Sequence, residues 1–346
     1  MASAGYAFIS AYLKGEEAKI VTSSHVSDMA KVSDIQGVLG SIRESDIGNY
    51  LEGVTAKTFD ELDGHLWAYF SECLVRLEWF KTVPADIGKI LKAYITKYDV
   101  LNIKAALQGM LTSRKAKMIP VGVIYSHGLL DQLSNAGDVG DIIKILTECK
   151  LEDYATVLKE YKIDEGEKSK LLTEARLDGE YHKNLLRIMK SLKDGSILSK
   201  AFSTIIDMTN LQIILRAIIG DIDSEVAEYI ISGGYMISDT VAKDSISLKL
   251  TDLPGKLEHT QYYDVVEEVI SDYDRRKSIT VVDEIIEKHK FRLSKEMLSP
   301  RVMSPLMVLW YLILKEIEVR NLRLILKAVF DNKPIEEIRN YLVLAS

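Results

Sequence analysis

Two short markers recur three times each along this chain at nearly constant spacing, and that constrains the fold more than any other feature. The first pairs an acidic residue with an asparagine three positions later: Asp99-Val-Leu-Asn102-Ile103, Asp207-Met-Thr-Asn210-Leu211 and Glu318-Val-Arg-Asn321-Leu322. The asparagines lie 108 and 111 residues apart. The second marker is an aspartate, an aliphatic residue and a leucine one turn on: Asp34-Ile35 with Leu39, Asp141-Ile142 with Leu146, and Asp252-Leu253 with Leu257. Its aspartates lie 107 and 111 residues apart. Either marker alone is common, but two that keep one period through the whole chain point to triplication of an ancestral unit. The implied boundaries are 1–117 for an N-terminal helix plus the first unit, 118–224 for the second and 225–346 for the third. At 346 residues the chain also exceeds the ~100–200 residues usual for one domain.

A looser echo, Leu62-Asp63, Leu177-Asp178 and Tyr273-Asp274, opens the stretch that leads to each asparagine. The third stretch runs 44 residues from Asp274 to Glu318, against 36 from Asp63 to Asp99. An additional loop is therefore expected in unit 3 at LSPRVMSP, where two prolines break a helix.

The pattern inside each unit is helical. Ile87, Ile90, Leu91, Tyr94, Ile95 and Tyr98 form one stripe, and Leu306, Leu309, Trp310, Ile313 and Ile317 form another; both run straight into an asparagine marker. Pro84 and Pro334 stand where helices can begin, the latter just after the capping candidates Asp331 and Asn332. Alternation of strand type is confined to ISLKL near Ser247. The expected class is all-α.

Asparagine is a weak helix former, so its presence inside three long helices needs a cause. Together with the acid one turn earlier it makes a polar notch beside the apolar stripe, suited to satisfying buried backbone groups. The aspartates of the second marker, Asp34, Asp141 and Asp252, read as helix N-caps. These are structural roles, with a direct partner contact as the alternative for the notch, and threefold repetition favours structure, because a catalytic site usually occurs once.

Residue types that carry chemistry are not arranged for it. No two of the six histidines stand three or four residues apart, and the chain contains no GxGxxG, GxxxxGK[ST], HExxH or GxSxG. No metal, cofactor or catalytic residue is assigned, and an enzyme is not expected. A formal charge of −7 offers no broad positive field for nucleic acid. Cys73 and Cys149 form no CxxC pair, which fits a reducing compartment. The longest apolar run, Leu306 to Leu314, is far short of the ~20 residues of a spanning helix, so membrane association is expected to go through another protein. Lys14-Gly-Glu-Glu-Ala-Lys19 reads as a solvated stretch.

These residues resemble the C subunit of the archaeal and bacterial A/V-type ATP synthases, the counterpart of the d subunit of the eukaryotic vacuolar ATPase. The closest stretch is Lys315-Glu316-Ile-Glu318-Val-Arg320-Asn321-Leu322-Arg323-Leu-Ile325. It is supported by Tyr98-Asp99-Val-Leu-Asn102-Ile103, Leu257-Glu-His-Thr260-Gln-Tyr262, Leu177-Asp178-Gly-Glu-Tyr181 and the start at Tyr6. The resemblance implies three similar helical bundles set about a pseudo-threefold axis as a funnel. One copy per complex would receive the central stalk, built of D-type and F-type subunits, while its base sits on the membrane proteolipid ring. Such a part is peripheral, on the cytoplasmic face, and passes torque between ion translocation and ATP chemistry. Stalk contacts are then expected among the polar residues following the second marker: Arg43 and Glu44, Lys150 and Glu152, and Glu258. The alternative is a helical-repeat scaffold for unrelated cytosolic partners.

Overall fold

The computed structural model describes residues 2–79, 84–161, 166–222 and 224–344. Among them there is no strand, and the class is all-α. A first helix, α1 (Ala2–Glu17), is followed by short α2 (Ser23–Met29), α3 (Ile35–Ser41) and α4 (Asp46–Tyr50), then by a long pair, α5 (Phe59–Glu78) and α6 (Asp86–Thr112). The same succession returns with α7 (Val123–Ser126), α8 (Leu130–Ser134), α9 (Val139–Glu148) and α10 (Glu152–Leu158), and the long pair α11 (Gly166–Lys190) and α12 (Gly195–Ile219). It returns again with α13 (Asp239–Ser245), α14 (Leu253–Leu257) and α15 (Tyr263–Arg276), the long pair α16 (Thr280–Leu298) and α17 (Leu306–Phe330), and a terminal turn, α18 (Ile335–Ile338). Each asparagine marker lies in the second helix of a long pair.

Local chemistry sets these limits. The Thr58 hydroxyl accepts from the Glu61 N–H at the start of α5, whose first turn carries Asp60 and Glu61 and whose last carries Arg76, matching the helix dipole. In α9 the Asp138 carboxylate caps the first turn and Ile142, Ile145 and Leu146 bury one face. Pro300 and Pro305 separate α16 from α17, and every residue from Leu306 to Leu314 is buried, as a helix surrounded by neighbours requires.

The chain forms two compact units, residues 1–90 with 295–346 and residues 91–294. In the first, α17 packs on α1 and α5 around Trp310, Tyr6, Tyr69 and Phe70. In the second, α11 packs on α12 and on α10, which pairs with α9.

Several expectations are corrected. The third copy of the Leu-Asp echo is Val282-Asp283 in α16, not Tyr273-Asp274: Asp274 is exposed on α15 and pairs with Lys277 at 2.9 Å, whereas Asp283 makes the contacts of its counterparts described below. Counted from Asp283, the stretch to Glu318 is 35 residues. The loop at LSPRVMSP is therefore no addition, since α5 to α6 and α16 to α17 are both joined by seven residues. Asp331 and Asn332 do not cap α18. Asp331 ends α17, Asn332 takes the left-handed conformation at φ 55°, and Pro334 stands at the N-cap. ISLKL turns after α13 into a short 3₁₀ segment, because so short an alternation has no neighbour to pair with.

Candidate functional site

Asparagine carries a side-chain amide with both acceptor and donor, so it can satisfy the N–H and the C=O of a single residue. All three marker asparagines do this. Asn102 holds Ile119, donating to its carbonyl at 2.9 Å and accepting from its N–H at 2.7 Å. Asn210 holds Ile231 at 2.8 and 2.9 Å, and Asn321 holds Val343 at 2.6 and 3.1 Å. The clamped residue follows the asparagine by 17, 21 and 22 positions. An aspartate would set a second oxygen against the carbonyl, and a leucine would leave both groups buried and unmet.

The acid one turn earlier reaches the start of a set of short helices. Asp99 accepts from the Val123 and Ile124 N–H groups at 2.8 and 2.9 Å, at the beginning of α7. Asp207 accepts from Tyr235, Met236 and Ile237, before α13, and from the Tyr262 hydroxyl at 2.7 Å. Glu318 accepts from the Val21 N–H at 2.8 Å, before α2. The acid of the first marker thus holds residues 123–124, that of the second holds 235–237, and that of the third reaches back to Val21.

Two glycines permit this approach. A Cβ on Gly122, at φ 119°, would collide with the Asp99 carboxylate, and one on Gly234 would collide with that of Asp207. Ile20 precedes Val21 at the third grip, and there the acid is glutamate, longer by one methylene, so the backbone need not come so close.

A third contact follows the same order. Two residues after each asparagine stand Lys104, Gln212 and Arg323. Lys104 meets Asp178 of α11 at 2.5 Å; Gln212, with Arg216, meets Asp283 of α16 at 2.7 and 2.6 Å; Arg323 meets Asp63 of α5. Asparagine, acid and following polar residue therefore act as one repeated grip.

Only the third grip is ionic at its centre. The Lys315 ammonium is buried, 2.6 Å from the Tyr69 hydroxyl and 3.0 Å from Glu318, and the same hydroxyl donates to Asp46 at 2.9 Å. Arg76 lies 3.1 Å from Asp46 and 3.6 Å from Glu16. Burial alone would push Asp46 up, but Lys315, the Tyr69 hydroxyl and Arg76 hold it below the usual carboxylate range. Sequence reasoning missed this cluster and treated Glu16 and Glu17 as solvated. Glu16 is buried, and Glu17 accepts from the Trp310 indole at 3.1 Å.

The second-marker aspartates serve unequal roles. Asp34 is an N-cap, its carboxylate accepting from the Gly37 N–H at 2.9 Å. Asp141 sits inside the first turn of α9, whose cap is Asp138, and accepts from the Gly137 N–H. Asp252 precedes α14 without a capping bond: its backbone is helical, at φ −94° and ψ −16°, rather than extended as in a capping residue, and its carboxylate accepts from the Thr251 hydroxyl at 3.2 Å. Arg43, Glu44, Lys150, Glu152 and Glu258 are all exposed, at or just beyond the ends of α3, α9 and α14.

Among the described residues, no group of three or more His, Cys, Asp or Glu is placed to hold a metal ion. Both cysteines are buried and free, and burial pushes each thiol up to about 11, out of the reactive range. Among the described residues one helix, α12, is long and apolar enough to cross a membrane by length and composition, yet over half of it is buried and it spends Asp207 and Asn210 on internal bonds.

Burial pushes Asp99 up to about 7, outweighing its two backbone donors. An unfolded aspartate titrates near 3.9, so the folded state holds this proton more tightly. The stability this gives is complete below about pH 4 and is lost as pH rises through about 7, at up to about 1.4 kcal/mol per pH unit. Denaturant midpoints taken between pH 5 and 8 are expected to fall with pH in the wild type and to fall less steeply in Asp99→Asn.

A family model described as ATP synthase (C/AC39) subunit matches residues 9–341. The C subunit of the A-type ATP synthase of Methanocaldococcus jannaschii is 24% identical over 351 residues, covering 98% of this chain and 86% of its own. The corresponding protein of the same name from Methanosphaera stadtmanae is 25% identical over 354 residues, covering 98% and 88%. That from Methanobrevibacter smithii is 26% identical over 347 residues, covering 95% and 86%.

Proposed function

The chain belongs to the ATP synthase (C/AC39) subunit family, and from that premise we propose that it is the rotor adaptor joining the central stalk to the membrane proteolipid ring. It is a structural subunit of a membrane-associated ATP synthase complex, not itself a catalyst, and ion transport and ATP synthesis are properties of that complex. In this reading three units, 1–117, 118–224 and 225–346, stand about a pseudo-threefold axis and enclose a funnel for the foot of the stalk. The cyclic order of the three grips is the observation that carries it. A part that transmits torque must resist shear between its own segments; bidentate asparagine bonds at the first two junctions and a buried ion pair at the third supply that stiffness.

The partners are D-type and F-type stalk subunits and the ring, with one copy of the chain per complex, held peripherally at the cytoplasmic face. Arg43, Glu44, Lys150, Glu152 and Glu258 are the proposed stalk contacts: they are exposed, mixed in charge and recur at equivalent helix ends. Exposed charges seldom matter to folding by more than about 0.5 kcal/mol. Reversing Arg43, Glu152 and Glu258 together is therefore expected to leave the circular dichroism and melting curve unchanged. It should weaken capture by purified stalk subunits about ten-fold or more. Unchanged capture would remove these residues from the interface. The purified chain should not sediment with bare lipid vesicles.

A further inference from the structure

The residue one turn before the gripping acid is Thr96 in α6, Thr204 in α12 and Lys315 in α17. All three are buried, and Thr96 bonds back to the Lys92 carbonyl of its own helix. The segments gripped by α6 and α12 answer with backbone N–H groups and one tyrosine hydroxyl. The segment gripped by α17 answers with charge, setting Asp46, itself paired with Arg76 of the same segment, beside Lys315.

The covalent arrangement explains why the third grip needs more. Asp99 and Asp207 bind backbone N–H groups 24 to 30 residues downstream, where a short connection keeps the right partner at hand. Glu318 binds chain 297 residues upstream. The N-terminal segment must therefore choose among three similar gripping helices, and among those of other copies of the chain, a known hazard for repeat proteins. Docking on α6 or α12 would bring Asp46 beside Asp99 or Asp207 with no lysine between them, and Asp46 would lose the cation that α17 supplies.

We propose that Lys315, Glu318 and Asp46 form a pairing code that directs the N-terminal segment to α17 of its own chain and away from α6, α12 and exchange with a second copy. Charge supplies selectivity here that apolar packing between near-equivalent helices does not.

The test is refolding of the full chain from denaturant over a range of concentrations, with sizes read by light scattering and native mass spectrometry. Two variants are compared with the wild type: Lys315→Thr, which restores the residue of the other two copies, and the neutral set Lys315→Met, Glu318→Gln, Asp46→Asn, which leaves no carboxylate without a partner. The neutral set decides the matter, because Lys315→Thr can simply fail to fold. It is expected to fold yet to give about ten-fold more exchanged dimer and larger species than the wild type, rising with concentration. A neutral set that refolds with the wild-type size distribution would overturn the code, whatever Lys315→Thr does. No stalk or ring subunit enters the experiment, so its outcome is independent of the rotor reading.

Discussion

Lys315→Met is expected to destabilise the unit formed by residues 1–90 and 295–346 by about 3–5 kcal/mol, the range seen when one partner of a buried ion pair is removed. The ammonium is fully buried between Glu318 and the Tyr69 hydroxyl, with Asp46 at 3.8 Å. Methionine fills much the same volume, so the loss is one of charge compensation rather than of packing. Tryptophan fluorescence reports it cleanly, because Trp67, Trp79 and Trp310 all lie in this unit. Adding Glu318→Gln should restore part of the loss, since Asp46 keeps Arg76 as a partner at 3.1 Å. A double variant no more stable than the single one would mean that the unpaired Glu318 carboxylate is not the source of the loss.

The second large effect is expected at Asn210. Leucine there is a good helix former and nearly the same size, so propensity favours the change. The structure opposes it, because both the N–H and the C=O of Ile231 are buried and bonded to that one side chain. Leaving the two groups unmet should cost about 2–4 kcal/mol. Amide exchange at Ile231 measures this directly, with a rise of about thirty-fold to a thousand-fold expected. The same change at Asn102 should act on Ile119, and at Asn321 on Val343. A change in exchange spread evenly over the unit would instead indicate a general loss of packing.

How much of this was legible in the sequence depends on the distance over which each residue acts. Helices were readable from apolar periodicity, because that pattern is local. The asparagines were readable as anomalies, because a weak helix former in three equivalent helices contradicts propensity. Their partners were not: Ile119, Ile231 and Val343 are ordinary aliphatic residues, and nothing marks their backbone as clamped. Gly122 and Gly234 carried a faint signal, each opening the segment that an acid grips. The ionic cluster was invisible because Glu16, Asp46, Arg76 and Lys315 are spread over 300 residues and each is common on a solvated helix face. The misplaced third echo shows the opposite failure. Tyr273-Asp274 and Val282-Asp283 both fit an apolar-acidic pair, and only the contact of Asp283 with α12 separates them.

The rotor reading is tested most directly by recovering the tagged chain from mildly solubilised native membranes and identifying what accompanies it. Central-stalk subunits and proteolipid are expected together, in amounts that match one copy of this chain per complex. Recovery of the intact, folded chain with neither of them, or with unrelated soluble proteins instead, would contradict it.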